Sequence, residues 1–139
     1  MCIGPFCFCR SKYHTFPILT GIHLPLSLSR TSRYSLGSSS MVLASPVYFY
    51  SIDAHLKAVI DRSVARWTEV KDKEFYYIVT AADGEKEAAD TTIACFRGYA
   101  DCVEGAKEMG VVYGMGTYEK GEVKGTVAMT EAYELGRRA

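Results

Sequence analysis

The chain has 139 residues, 48% of them hydrophobic and 23% charged. That length and composition fit one globular domain and exclude a disordered chain, a collagen-like repeat and a coiled-coil rod. Sixteen Lys and Arg match sixteen Asp and Glu, yet residues 1–40 carry four bases and no acid, whereas residues 41–139 carry twelve bases against sixteen acids, a net −4.

An acidic body lacks the basic face that nucleic-acid binding needs. A membrane helix needs ~20 consecutive apolar residues, and the longest candidate, Phe16–Leu28, is interrupted by Pro17, Gly21, His23 and Pro25. No nucleic-acid partner and no membrane partner are therefore expected. Five cysteines form an odd set in a chain that is not cysteine-rich. That argues against a disulfide framework and for a reducing, cytoplasmic setting.

Residues 1–40 hold eight serines and three prolines and keep no period of 2 or 3.6. Three readings compete for them. An Arg- and Ser-rich, acid-free start suits an organellar transit peptide. Cys2, Cys7 and Cys9 suggest a metal segment, but their spacing matches no zinc pattern and a fourth ligand is missing. The third reading is an atypical start joined to an unrelated body.

The body alternates strands and helices. Met41–Ala44 reads as a buried strand that stops at Ser45-Pro46, because proline ends ladder pairing. Leu56, Val59, Ile60, Ser63, Val64 and Trp67 then form one helical stripe, with Ser51 or Asp53 as its cap. Phe75–Thr80 is an unbroken apolar run, as in a strand covered on both faces. Ala81–Gly84 ends it with turn chemistry. A long helix follows, with Thr92, Cys95, Phe96, Tyr99, Cys102, Val103 and Ala106 on one face and Gly110 as its C-terminal stop. Val111–Tyr113 is a third strand, 114–125 a glycine-rich loop and Met129–Leu135 a last helix. This order predicts parallel strands with helical crossovers. Ligands in such sheets bind outside the carboxyl ends of the strands. Three strands fall short of the about five or six of an average sheet, as though the first part were missing.

The candidate chemistry lies in the loops at those ends. Ser45-Pro46-Val47-Tyr48-Phe49-Tyr50-Ser51 offers amides, hydroxyls and three aromatic rings, which suits a flat heteroaromatic ligand. The competing reading is a turn whose aromatics complete the core. Ala81-Ala82-Asp83-Gly84 has the small residues that let a ligand approach the backbone, or is an ordinary turn. Gly114-Met115-Gly116 is no dinucleotide fingerprint, since Glu119 stands where the third glycine belongs. His55 reads as a surface residue in a first helical turn. Cys95 and Cys102 read as packing on a buried helix face. No G-x-S-x-G, H-E-x-x-H or P-loop occurs, so triad or metal hydrolysis has no support and no catalytic side chain is assigned.

Residues 42–51, VLASPVYFYS, followed by AHLKAVIDR at 54–62, resemble the third strand and helix of the flavodoxin-like NAD(P)H-dependent FMN reductases. That family includes iron–sulfur flavoproteins and quinone reductases. TAADGE at 80–85 and YGMGTYEKGEVKG at 113–125 are also similar to it. The resemblance covers about residues 41–138 and implies an α/β fold, a flavodoxin-like three-layer parallel sheet. It implies FMN at the strand ends, NAD(P)H as co-substrate, a homo-oligomer and a flavin or quinone reductase activity. By position, Ser45, Pro46, Val47, Tyr48 and Phe49 would bind the cofactor, the last four lining the isoalloxazine and ribityl groups. Ala81, Ala82, Asp83 and Gly84 would approach the ring from the second loop. Tyr113 and the residues after it would close the site or meet a partner subunit. The cofactor carries the redox chemistry, which agrees with the absence of a catalytic constellation.

In that family the phosphate is held by a Ser/Thr/Asn/Gly-rich loop after the first strand. Residues 1–40 show no such strand–loop–helix, since Arg30-Thr31-Ser32 and Gly37–Ser40 abut the next strand. The expectation is thus a fold truncated at its N-terminal half. Residues 1–40 would be an atypical disordered segment and 41–139 the C-terminal part of an FMN-binding domain. Flavin binding is expected to be weak or absent. The alternatives are a one-electron flavodoxin-type carrier and a non-catalytic remnant.

Overall fold

A computed structural model of the chain describes Ile18–Leu19 and residues 37–139. The readings placed on Cys2, Cys7 and Cys9, on Arg30–Ser32 and on a transit peptide lie outside the described residues. The described elements are strand β1 (Ile18–Leu19), β2 (Ser40–Pro46), helix α1 (Ala54–Arg62), β3 (Glu74–Thr80), α2 (Asp90–Asp101), β4 (Lys107–Gly114) and α3 (Val127–Arg138). Short 3-10 turns at Ser63–Glu69, Lys86–Ala89 and Glu122–Gly125 connect them.

The strands form one parallel sheet in the order β1-β2-β3-β4. The expected β-α-β-α-β-α order and parallel pairing are present. The fourth strand, β1, was not foreseen: its two residues pair with Val42 and Leu43 and carry no periodicity.

Alternation along the strands divides the side chains between two faces. Met41, Leu43, Phe75, Tyr77 and Val79 pack in one cluster with Leu56 of α1 and with Ile93, Phe96 and Ala100 of α2. The opposite face includes Tyr76 and Val112, both buried, and α3 packs beside β4 there. A Cβ on Gly110 would stand 2.9 Å from Leu135 Cδ1, so the missing side chain lets α3 come close. The three layers follow from β2 and β3 being apolar at nearly every position, which requires cover on both sides.

Several boundaries differ from the sequence reading, each for a local reason. β2 runs on through Pro46. Val47 N–H donates to Thr80 O at 2.8 Å, so by alternation Pro46 turns its missing N–H away from β3. The α1 stripe ends early. After Arg62 the chain tightens to 3-10 geometry and kinks at Arg66 (φ −139°). Rotation per residue rises from 100° to 120°, and Val64 and Trp67 come out exposed. α2 stops at Asp101, not Gly110. Gly105 at φ +74° turns the chain, and Cys102 is exposed rather than buried. β4 begins at Lys107, with a bulge at Met109 that pairs Phe75 with Glu108 and Tyr76 with Gly110. Lys107, Glu108 and Met109 are exposed, which hid the strand from an apolar pattern.

The bulge also re-aims a side chain. Glu108 faces α2, where Arg97 Nε and Nη2 donate to its two oxygens at 2.8 and 2.9 Å. That fork holds the Glu108 carboxyl below its ordinary value. A depressed folded-state value contributes stability above the unfolded carboxylate range, about pH 4–5. The contribution fades as pH falls through the folded value. Glu108→Gln is expected to lower the unfolding free energy read from urea titration at pH 7 by a small amount, ~0.2–1 kcal/mol for so exposed a pair. The difference from the parent should close at acidic pH and in high salt.

Candidate functional site

The carboxyl ends of β2, β3 and β4 open into three loops on one edge of the sheet. The first loop leaves the core at Ser45, whose side chain is 3% exposed. Its hydroxyl donates to Pro46 O at 2.7 Å and accepts from Asp53 N–H at 2.8 Å. Ser45 thus ties the base of the loop to the start of α1. Asp53 in turn caps α1 by accepting from His55 N–H, and its Oδ1 lies 3.1 Å from the exposed His55 ring. That is the surface position expected of His55.

Between these ties the chain makes a tight reversal. Tyr48 N–H donates to Ser51 O and Ser51 N–H to Tyr48 O, both at 3.0 Å. The central residues Phe49 and Tyr50 stand at φ +50° and +60°. Positive φ at both centres is the signature of a type I′ turn, which favours Asn-Gly and opposes aromatics. Such backbone costs about 1–2 kcal/mol per residue. Nothing in the core repays it, because Phe49 is 100% exposed, Tyr50 64% and Tyr48 53%. The reading of these rings as core completion is therefore excluded; Val47 is the loop residue that packs inward.

The second loop lies directly beside the first, joined by the Val47–Thr80 bond. Ala81 is buried, whereas Ala82, Asp83 and Gly84 are exposed. Asp83 Oδ1 accepts from Glu85 N–H at 2.9 Å and shapes the turn. The third loop clasps the second through Gly116 N–H to Asp83 O (2.7 Å) and Thr117 N–H to Ala81 O (2.9 Å). Thr117 Oγ1 also donates to Gly114 O at 3.0 Å. Gly114 allows this approach, since a Cβ there would meet Thr80 Cγ2 at 3.0 Å. Lys86 Nζ sits 5.0 Å from the Tyr113 ring centroid, a cation–π contact. The sequence marked Gly114-Met115-Gly116 only as a loop; Thr117 and Gly116, which fix the second loop, carried no signal beyond the glycines.

Further along, Glu122 accepts from the N–H groups of Tyr118 and Glu119, both at 2.7 Å. These backbone bonds hold its carboxyl below the ordinary value. The clasp is intact above the usual carboxylate range and released on acidification. Glu122→Gln should raise hydrogen exchange at Tyr118 and Glu119 at neutral pH, with little change once the parent is acidified.

The edge thus presents exposed rings from the first loop beside unused donors. No described residue accepts from the N–H of Phe49, Tyr50, Ala82, Asp83 or Gly84. A planar heterocycle with carbonyl and imide groups on one edge matches that set. A phosphate does not match the described helix starts. α1 opens on Asp53 and α2 on Asp90, and both carboxylates oppose an anion there. No group of three or more His, Cys, Asp or Glu side chains is placed to hold a metal among the described residues. No described helix is long and apolar enough to cross a membrane.

No protein-family model and no curated protein sequence matches the chain. Solved structures do match. The Trp repressor binding protein from Bacillus subtilis is 20% identical, with a TM-score of 0.71 over 81% of this chain and 77% of that one. An NADPH-quinone reductase from P. pentosaceus is 16% identical, with a TM-score of 0.60 over 84% and 77%. An FMN-dependent NADH-azoreductase from Bacillus anthracis, solved in complex with FMN, is 14% identical, with a TM-score of 0.61 over 81% and 61%. The chain has the flavodoxin-like α/β fold of these proteins, so the resemblance seen in its strand and loop residues holds at the level of fold.

Proposed function

We propose that this chain is an FMN-dependent NAD(P)H oxidoreductase of the flavin or quinone reductase type, with the flavin ring at the edge formed by the first two loops. One observation carries the reading. Phe49 and Tyr50 are held at positive φ and exposed, with their own amides and the three of Ala82, Asp83 and Gly84 unengaged by any described residue. Backbone strain that the core does not require points to a functional use. The fold likeness to reductases that use FMN and NADPH supports the same assignment.

When bound, FMN would accept hydride from the nicotinamide and pass electrons to a quinone or similar acceptor. The protein's part is to bind and orient. Val47, Tyr48 and Phe49 would flank the ring system, with Pro46 beneath its ribityl side. The amides of Ala82, Asp83 and Gly84 would meet its polar edge, with Ala81 anchoring that loop to β4. Ser45 would act one step back by fixing the loop through Asp53. Gly116 and Thr117 would hold the second loop at its working height.

Titration of the full chain with FMN and with riboflavin, followed by flavin fluorescence, tests this reading. Saturable quenching by both is expected, with FMN no more than about tenfold tighter than riboflavin. A phosphate cradle would add charge-assisted bonds of ~1.5–3 kcal/mol each, and every 1.4 kcal/mol is a factor of ten. A much larger FMN preference would mean that residues outside 37–139 hold the phosphate. No quenching by either flavin from a folded sample would remove the reductase reading and leave the non-catalytic one. NAD(P)H oxidation with added FMN and a quinone separates a reductase from a one-electron carrier.

A further inference from the structure

The tip of the first loop presents more aromatic surface than one planar ring would cover. From Ser45 to Ile52 the chain carries no charge. Tyr48, Phe49 and Tyr50 stand out of the reversal with exposures that together amount to about two whole rings. An aromatic side chain buries ~150–250 Å², so the tip offers about 300–500 Å². Its base is firm. Val47 packs into the core behind it, the reciprocal Tyr48–Ser51 bonds close it, and Ser45 ties it to Asp53. A tip held this way loses little freedom on entering another phase.

The size of the tip selects what it fits. A stable protein interface needs about 800 Å² from each partner, and this protrusion supplies roughly half of that. A second copy would bring one convex tip against another and add no concave surface to receive it. A lipid surface deforms around the rings and has no such minimum. Phenylalanine flanked by tyrosines suits the boundary between acyl chains and headgroups, where ring bodies are buried and hydroxyls stay wet. The N–H groups of Phe49 and Tyr50 have no acceptor among the described residues, and headgroup phosphodiester and ester oxygens are acceptors. Charge then selects the lipid. In the adjoining second loop and the turn after it, Asp83, Glu85 and Glu87 are exposed, against Lys86, which is engaged on the Tyr113 ring. Residues 41–139 are net −4. An anionic surface would repel this edge, and a zwitterionic one would not. No described helix can cross a bilayer, which bears on spanning it and not on lying against it.

We propose that this tip docks the chain on the surface of a zwitterionic bilayer. Phe49 and Tyr50 enter the boundary below the headgroups, and their N–H groups donate to headgroup oxygens. Docking stands whether or not flavin binds. Where the reductase reading holds, the same contact brings the flavin edge to an acceptor dissolved in the bilayer.

Vesicle flotation of the full chain, with no flavin added, tests this. Phosphatidylcholine vesicles are compared with phosphatidylcholine vesicles containing phosphatidylserine, each over a range of lipid. Saturable flotation with phosphatidylcholine alone is expected. It should be half-complete near ~1 mM lipid, since one myristoyl chain gives only about 10⁴ M⁻¹ and the tip enters less deeply. Phosphatidylserine should not tighten it, and raised salt should not release it. Phe49→Ser should weaken it about tenfold. The paired exchange Phe49→Asn with Tyr50→Gly keeps the turn and should abolish flotation in a chain at least as stable as the parent by urea unfolding. Val127→Ser alters an exposed apolar position outside the loop and should change nothing. Trp67 is the only tryptophan and lies beyond α1, so brominated phosphatidylcholine should quench Phe49→Trp fluorescence and leave the parent's unchanged. Absence of flotation from a folded sample overturns the proposal. Flotation that requires phosphatidylserine and is lost in salt would be electrostatic adsorption and overturns it too. So does a paired exchange that floats like the parent. A parent dimer that the paired exchange makes monomeric would assign the tip to a second copy and overturn it as well.

Discussion

Phe96→Ala is expected to destabilise the chain by about 3–5 kcal/mol, a large share of the ~5–15 kcal/mol that holds a domain of this size together. Phe96 is fully buried in the cluster that joins α2 to the sheet. Its ring lies 5.4 Å from Tyr77, Tyr77 lies 6.3 Å from Phe75, and Phe75 meets Tyr99 edge-on at 5.9 Å. These four rings form a chain from helix to strand and back. Removing one takes away both its apolar burial and a ring contact worth ~0.5–1.5 kcal/mol. The cavity left behind cannot collapse easily, because Tyr77 and Phe75 are fixed by β3. Urea unfolding followed by circular dichroism reads the loss directly. Val64→Ala is the control. Val64 is 68% exposed, so its replacement should stay within about 0.5 kcal/mol. Equal effects from the two variants would mean that α2 does not lie on this face.

The sequence reading succeeded where one physical signal dominated. Phe75–Thr80 is apolar throughout, and only a strand covered on both faces leaves such a run. The Leu56, Val59 and Ile60 half of the α1 stripe was legible for the same reason. The stripe failed from Val64 onward because a change to 3-10 geometry leaves no mark in residue types. Gly110 failed differently: glycine after a helical pattern suggests a C-terminal cap. Here it is the gap through which Leu135 of α3 reaches β4, a tertiary reason that no local window contains. β1 was invisible because two paired residues have no period. The three loops at the strand ends were legible, since topology alone puts them there. What could not be read was how those loops are fastened. The clasp of Gly116 and Thr117 on Asp83 and Ala81 uses backbone atoms, which every residue shares. The left-handed turn at Phe49-Tyr50 runs against residue preference, so sequence logic would have placed it elsewhere.

That conflict supplies the second large effect. Exchanging Phe49-Tyr50 for Asn-Gly should make the chain more stable and a poorer flavin binder at once. Two residues at positive φ cost about 1–2 kcal/mol each. Asn and Gly accept that region, and the extra chain entropy of Gly returns ~0.5–1 kcal/mol of the gain. Little apolar burial is lost, because Phe49 and Tyr50 are largely exposed. A net gain of about 1–3.5 kcal/mol in urea unfolding is expected, with the reciprocal Tyr48–Ser51 bonds retained. If the rings serve the flavin, losing a stacking aromatic should weaken FMN by roughly tenfold, since such ring contacts are worth ~0.5–1.5 kcal/mol. The two readouts answer different questions. A stability gain with unchanged flavin binding would confirm the strained turn and deny the rings their role. A stability loss would show that the turn is not left-handed in solution, and the argument from strain would fall with it. Only the opposed pair, firmer fold and weaker binding, identifies the strain as something kept for function.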